Sequence, residues 1–167
     1  MIKIIDNFLP EDEFKLIQSV MMSDCSRPRA DNMFPWIYCK GRATRNDGLF
    51  LMVHMFHNPP IDPNSKYINL WNNFMTKVEA KKCHRIKANL TFKTPTIEPG
   101  PFHKDFSDIK TAVFYINTNN GYTEFETGVI VNSVANRVCI FDSNLTHRGT
   151  THTEGDHQRI VVNFNYA

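Results

Sequence analysis

His84 to Lys93 reads HRIKANLTFK, and the period of these residues decides the fold. Ile86, Ala88, Leu90 and Phe92 alternate with Lys87, Asn89, Thr91 and Lys93. Successive side chains of an extended chain leave opposite faces, so this alternation predicts a strand with one apolar and one polar face. The signal recurs in Thr111–Asn117 (TAVFYIN), Val129–Val131, Arg137–Asp142 (RVCIFD) and Arg159–Tyr166 (RIVVNFNY). Turn-rich loops such as Asn119-Asn120-Gly121 separate these runs, and no helical pattern intervenes. Strands at this spacing imply an antiparallel sandwich or barrel, so residues 84–167 are the expected barrel core.

Upstream the period lengthens. Met1 to Phe8 alternate loosely, as a short edge strand does, and Pro10 followed by Glu11, Asp12 and Glu13 reads as a helix start. Phe14, Ile17 and Met21 then recur at helical spacing. After Pro63, Asn64 or Ser65 is placed to cap a second helix whose apolar stripe is Tyr67, Leu70, Trp71, Phe74 and Val78. His84, after Lys81, Lys82 and Cys83, falls at the exit from that helix. Residues 25–63 mix Pro, Gly, Asn and Asp with Phe34, Trp36, Tyr38 and Phe50, and no element is assigned to them. The chain is expected to be one domain over 1–167, with helical support and a candidate lid in 1–83. The lid candidate is 31–50, with Phe34, Pro35, Trp36 and Tyr38; packing against the outer helices is an equal reading of those aromatics.

The 167 residues suffice to bury a core without staples, and 41% hydrophobic and 22% charged residues describe a globular rather than a disordered chain. Lys and Arg (19) nearly balance Asp and Glu (17) with no dense basic run, so nucleic acid is not indicated as a partner. Cys25, Cys39, Cys83 and Cys139 are too far apart for a Cys-x-x-Cys motif, and a reduced, cytoplasmic protein is expected. MIKIIDNFLPEDEF turns acidic too early for a signal peptide. No apolar run approaches the roughly 20 residues that span a bilayer.

The chemistry lies with the histidines. His103 and Asp105, two apart, share a face if they lie on a strand and can then bind one metal ion. The pair alone is weak, as a second such pair, His152-x-Glu154, demonstrates. His147, in Asp142-Ser143-Asn144-Leu145-Thr146-His147 just beyond RVCIFD, can return as a third ligand. Two His and one carboxylate on one face of an octahedron are the arrangement of non-haem Fe(II) oxygenases. Arg159 opens the last strand, where its fork can grip a distal carboxylate in two places. Tyr115 either adds a phenolic hydrogen bond to that carboxylate or is a core tyrosine. Each candidate also has a plainer role: a surface pair for His103 and Asp105, a turn cap for His147, a surface ion pair for Arg159. His54 and His57 in MVHMFHN read as core or rim residues, and His152 and His157 in TTHTEGDHQ as solvated loop residues.

On PFHKD, VFYIN, RVCIFDSNLTH and RIVVNFNY, with KANLTF before them, the chain resembles the 2-oxoglutarate- and Fe(II)-dependent dioxygenases over roughly residues 84–166. Compact prolyl-4-hydroxylase-like members of the kind found in phages are especially similar. The resemblance implies a mainly β fold, a double-stranded β-helix (a jelly-roll or cupin-like barrel) flanked by about two helices. It implies iron on His103, Asp105 and His147, and Arg159 on the far carboxylate of 2-oxoglutarate with help from Tyr115. The implied cofactors are Fe(II), with 2-oxoglutarate and O2 as co-substrates and ascorbate in support. The implied reaction is hydroxylation of a peptide, for instance at a prolyl residue, or of a small molecule, with release of succinate and CO2. The implied location is the cytoplasm, the host's if the chain is viral.

Two departures accompany the resemblance. Many members carry Gly-Gly before the middle Glu, whereas Gly121-Tyr122-Thr123-Glu124 has one Gly. The usual Tyr shortly before the first ligand is missing, which leaves its polar role to Asn89 or Thr91. Halogenating relatives replace the carboxylate that is here Asp105, so hydroxylation or a related oxidation is implied. The alternative is a non-redox metal-binding or sugar-binding jelly-roll module, since the same three ligands also suit zinc or manganese. Arg159 discriminates, because a bare metal site has no use for a buried guanidinium.

Overall fold

The alternating run of 84–93 is a strand at the heart of the larger of two sheets. The structure, a computed structural model, describes residues 1–23, 33–42, 49–61 and 64–167. β1 (Lys3–Ile5), α1 (Glu11–Met21), β2 (Ile37–Lys40), β3 (Phe50–His57), α2 (Asn72–Lys77), β4 (Cys83–Phe92), β5 (Lys110–Tyr115), β6 (Tyr122–Phe125), β7 (Ile130–Asn132), β8 (Arg137–Asp142), β9 (His147–Gly149) and β10 (Gln158–Tyr166) follow in order. The described strands form a seven-stranded sheet, β1-β8-β5-β10-β4-β3-β2, and a three-stranded sheet, β7-β6-β9. Every strand pair is antiparallel. No strand ladder joins the two sheets among the described residues, so the fold is an open pair of sheets and not a closed barrel.

The period of two sorts the large sheet's side chains. Ile86, Ala88 and Leu90 of β4, Ala112 and Phe114 of β5, and Ile160, Val162 and Phe164 of β10 enter one core with Phe14, Ile17 and Met21 of α1 and with Trp71 and Phe74. Phe74 stacks on Phe164 with ring centroids 3.8 Å apart. The opposite face contributes Val113, Tyr115, Cys139, Phe141 and Val161 to a smaller core, which Phe125 and Val131 close from the three-stranded sheet. The remainder of that face, Arg85, Lys87, Asn89 and Thr91 of β4 beside Arg159 and Asn163 of β10, lines a cavity.

Several details differ from expectation. The stretch after Pro63 is not one capped helix: a 3-10 turn over Ile68–Trp71 precedes α2. Ser65 O accepts from Ile68 N–H and Tyr67 O from Leu70 N–H, and these three-residue bonds wind the chain tighter than an α-helix. Neither Asn64 nor Ser65 caps it; Ser65 Oγ instead accepts from Tyr67 N and bonds His54 Nε2. Residues 37–40 and 50–57, within the span given no element, are strands that extend the large sheet. His84 belongs to β4 rather than to a helix exit. Phe92 sits at the ladder's margin opposite Gln158, where it is 42% exposed and meets Phe50 instead of the core.

Phe34 and Trp36 pack on the helix side with His54, Phe56 and Tyr67, which favours packing over a lid for those two aromatics. Residues 31–32 and 43–48 of the lid candidate, and Cys25, lie outside the described residues. His54 is a satisfied core histidine, bonded to Pro35 O and Ser65 Oγ. Cys39, Cys83 and Cys139 are free thiols, and no described helix is long and apolar enough to cross a membrane.

Candidate active site

His103 and His147 meet through their backbones. Each donates its N–H to the other's carbonyl, at 2.9 and 3.0 Å, in an isolated antiparallel bridge. His103 and Asp105 are therefore not neighbours on a regular strand, as the two-residue spacing suggests; the bridge to β9 brings them to His147. One candidate ligand atom from each of His103, Asp105 and His147 lies within 4.8 Å of the others. Nδ1 of His103 faces Pro101 O at 3.1 Å, and Nδ1 of His147 faces Leu145 O at 3.0 Å. A carbonyl only accepts, so each Nδ1 carries a proton, and in the neutral tautomer that this selects, Nε2 keeps its lone pair for a metal. His147 is buried against Phe125 and Phe141, and that burial lowers its pKa and favours the neutral, ligating form.

Asp105 is held from two sides. Arg85 Nη2 donates to its Oδ1 at 3.0 Å and Asn165 Nδ2 to its Oδ2 at 3.2 Å. Burial works against the carboxylate's charge, but Arg85 above all, with the Asn165 amide, outweighs it and leaves the pKa below the usual value. Asn165 is fully buried and fully used: Nδ2 also donates to Thr111 Oγ1, and Oδ1 accepts from Arg85 Nε at 3.0 Å. Arg85 and Asn165 are direct partners across the β4–β10 ladder. Sequence reasoning missed both, although alternate positions 85, 87, 89 and 91, and 159, 161, 163 and 165, share a polar face by period alone.

Arg159 lies three inward-facing rungs along that ladder, opposite Thr91, and is 3% exposed. Its Nε donates to Ser133 Oγ at 2.8 Å, a positioning contact that the sequence does not advertise. Nη2 of Arg159 and Oγ1 of Thr91 are buried without a hydrogen-bond partner, and no described carboxylate pairs with the guanidinium. Burial pulls the Arg159 pKa down to about 10, against the opposing pull of Tyr115. Gly121 makes this placement sterically open: a Cβ there meets Arg159 Cδ at 2.7 Å and Thr151 O at 2.8 Å.

Tyr115 does not itself line the cavity, but Thr123, its hydrogen-bond partner, does. Its hydroxyl donates to Thr123 Oγ1 at 2.8 Å, and its ring lies 5.9 Å from the guanidinium carbon of Arg159. Arg148, whose neighbour His147 points inward, instead pairs with Glu124 at 2.8 Å and lies over Phe102. His152 is fully buried with Nε2 on Asp156 O, contrary to a solvated loop residue, while Glu154 and His157 are exposed. The pair His152-x-Glu154 therefore forms no metal site.

A cavity of about 250 Å³ gathers His103, Asp105, His147, Thr91 and Arg159. The donor set and the orphaned atoms define what fits. Two imidazoles and a carboxylate suit Fe(II). A buried guanidinium whose Nη2 has no acceptor, beside a hydroxyl that has none either, suits one carboxylate of a dicarboxylic acid.

No family model matches the sequence, and no curated protein matches it. Solved structures do resemble it in fold. A 2-oxoglutarate–Fe(II) oxygenase-family oxidoreductase from Burkholderia pseudomallei is similar at a TM-score of 0.70 and 12% identity, covering 99% of this chain and 84% of that one. A Trichoplax adhaerens prolyl hydroxylase, in complex with a hypoxia-inducible-factor peptide fragment, gives 0.63 at 12% identity over 99% and 83%. A Pseudomonas putida prolyl-4-hydroxylase gives 0.61 at 15% identity over 99% and 91%. The chain thus has the fold of the 2-oxoglutarate- and Fe(II)-dependent oxygenases, the double-stranded β-helix. That fold comprises prolyl hydroxylases among its members.

Proposed function

We propose that the protein is an Fe(II)- and 2-oxoglutarate-dependent dioxygenase that hydroxylates an organic substrate with release of succinate and CO2. The observation that carries this reading is Arg159: a buried cation without an anion, in the cavity that also gathers His103, Asp105 and His147. A bare metal-binding or sugar-binding module gives no reason to desolvate such a group at several kcal/mol.

In this reading His103, Asp105 and His147 hold Fe(II), and Arg159 with Thr91 holds the far carboxylate of 2-oxoglutarate. Iron and co-substrate, once bound, would supply the oxidation with O2, with ascorbate in support. The chain's own residues do the rest. The carbonyls of Pro101 and Leu145 fix the imidazole tautomers, and Arg85 and Asn165 aim the Asp105 carboxylate. Ser133 and Gly121 place the guanidinium, and Phe125 and Phe141 keep water from His147. Asn89, with an orphaned buried Oδ1, is a further polar contact for ligands of the cavity.

Likeness to prolyl hydroxylases favours a peptide, and a prolyl residue in particular, as the substrate, although a fold hosts many substrates. The free thiols of Cys39, Cys83 and Cys139 suit a reducing, cytoplasmic setting. Anaerobic addition of Fe(II) and 2-oxoglutarate should produce a weak visible charge-transfer band, and air with ascorbate should then release succinate. A colourless protein that still binds Fe(II) would leave the metal-binding module as the answer.

A further inference from the structure

The charge of the cavity is not the charge of the chain. Lys and Arg exceed Asp and Glu only by 19 to 17 overall. The cavity wall, by contrast, carries Arg85, Lys87, Lys104 and Arg159 against one described carboxylate, Asp105. Fe(II) and 2-oxoglutarate bring opposite charges of equal size, so loading the site leaves this positive excess in place. Arg85 is engaged by Asp105, and Arg159 is assigned to the co-substrate. Lys87 is not engaged: half-buried on the inward face of β4, it has no hydrogen bond or ion pair with a described residue. Desolvation, with Arg85 nearby, lowers its pKa against the weaker opposing pull of Asp105, and no described anion is bonded to its ammonium.

Its immediate surroundings narrow the ligand. Asn163 is its direct partner across the ladder, and Asn89 is the next inward residue on its own strand. Both amides have a buried Oδ1 with no donor. An isolated phosphate offers oxygen acceptors where these amide oxygens need donors. A carboxylate with an N–H group close beside it answers both needs.

We propose that the primary substrate is an α-amino acid carboxylate, free or as a peptide C-terminal residue, held by Lys87 with its adjacent N–H received by Asn89 and Asn163. This rests on the dioxygenase reading and names the substrate class of the same cavity. The test is binding without turnover. The protein, loaded with Zn(II) and 2-oxoglutarate, is screened by ligand-observed NMR against free L-amino acids, their primary amides, and acetyl-dipeptides with free or amidated C-termini.

At least one acid should bind and its amide should not; free amino acids and dipeptides separate the two sources. Lys87→Met should weaken that acid by about ten- to a hundred-fold, the scale of a charge-assisted hydrogen bond. Lys87→Arg should retain much of the binding, and both variants should keep the wild-type affinity for 2-oxoglutarate. The acid that binds should also accelerate succinate release from the Fe(II) protein. Equal binding of acids and amides, full binding by Lys87→Met, or no acid bound by a protein that does bind 2-oxoglutarate would each overturn the inference. Loss of 2-oxoglutarate in Lys87→Met would overturn it too, by giving the ammonium to the co-substrate. Failure of the wild-type protein to bind 2-oxoglutarate would instead defeat the dioxygenase reading itself.

Discussion

Gly121→Ala is the smallest change that probes the co-substrate site, because it adds one carbon beside the buried guanidinium and removes nothing. The new Cβ would stand 2.7 Å from Arg159 Cδ, 2.9 Å from Nε and 2.8 Å from the Thr151 carbonyl oxygen. Real Cβ atoms do not approach that closely, and a backbone carbonyl cannot swing aside as a side-chain tip can. Overpacking of this kind costs about 1–3 kcal/mol. At about 2–4 °C per kcal/mol for a chain of this size, the melting temperature should fall by several degrees. The cheaper relaxation moves Arg159, which breaks its 2.8 Å bond to Ser133 and turns Nη2 from the carboxylate that the proposed function assigns to it. Losing a charge-assisted hydrogen bond costs about 1.5–3 kcal/mol, or about ten- to a hundred-fold in 2-oxoglutarate affinity. Calorimetric titration of the Zn(II)-loaded protein measures the affinity, and thermal melts with and without 2-oxoglutarate measure the stability. Wild-type affinity in a variant that melts normally would refute the steric argument. Wild-type affinity in a destabilised variant would show that Arg159 is not the co-substrate's anchor.

The other predictions are shorter. Ser133→Ala should weaken 2-oxoglutarate less than Arg159→Ala does, since it frees the guanidinium without removing it, and Arg159→Lys should recover only part of the loss because a point charge cannot reproduce the fork. His103→Ala, Asp105→Ala and His147→Ala should each lose Fe(II) with the β-type circular dichroism intact, whereas exposed His157→Ala should bind iron normally. Phe164→Ala should cost about 3–5 kcal/mol in a denaturant titration, since the ring is fully buried and stacked on Phe74.

Burial lowers His54, His147 and His152 below their ordinary value of 6.5, so the unfolded chain binds more protons than the folded one below about that pH. Stability of the metal-free protein should therefore be full above pH 6.5 and decline as the pH falls beneath it, a trend that urea titrations at several pH values would reveal.

Local order was legible in the sequence alone where the apolar period is regular, and not over 37–40 and 50–57, where it is broken. The alternation in HRIKANLTFK and RIVVNFNY dictates a strand in each and assigns every residue to a face, because a pleated chain has no other way to bury Ile86, Ala88, Leu90, Ile160, Val162 and Phe164 together. The Phe14, Ile17 and Met21 spacing dictates α1 in the same manner. Four candidates, His103, Asp105, His147 and Arg159, were legible as residue types in a suggestive order.

Their meeting was not, because it depends on contacts between segments far apart in the chain. The two histidines converge through a backbone bridge that no side-chain pattern encodes. Arg85 and Asn165 are read as polar-face residues, yet their grip on Asp105 exists only once β4 lies beside β10. Tyr115 illustrates the same limit in reverse: its inward register is readable, but only the three-stranded sheet, by offering Thr123, decides which partner its hydroxyl finds. Sequence period sets the direction of a side chain, and the packing of one sheet on another sets what that side chain finds there.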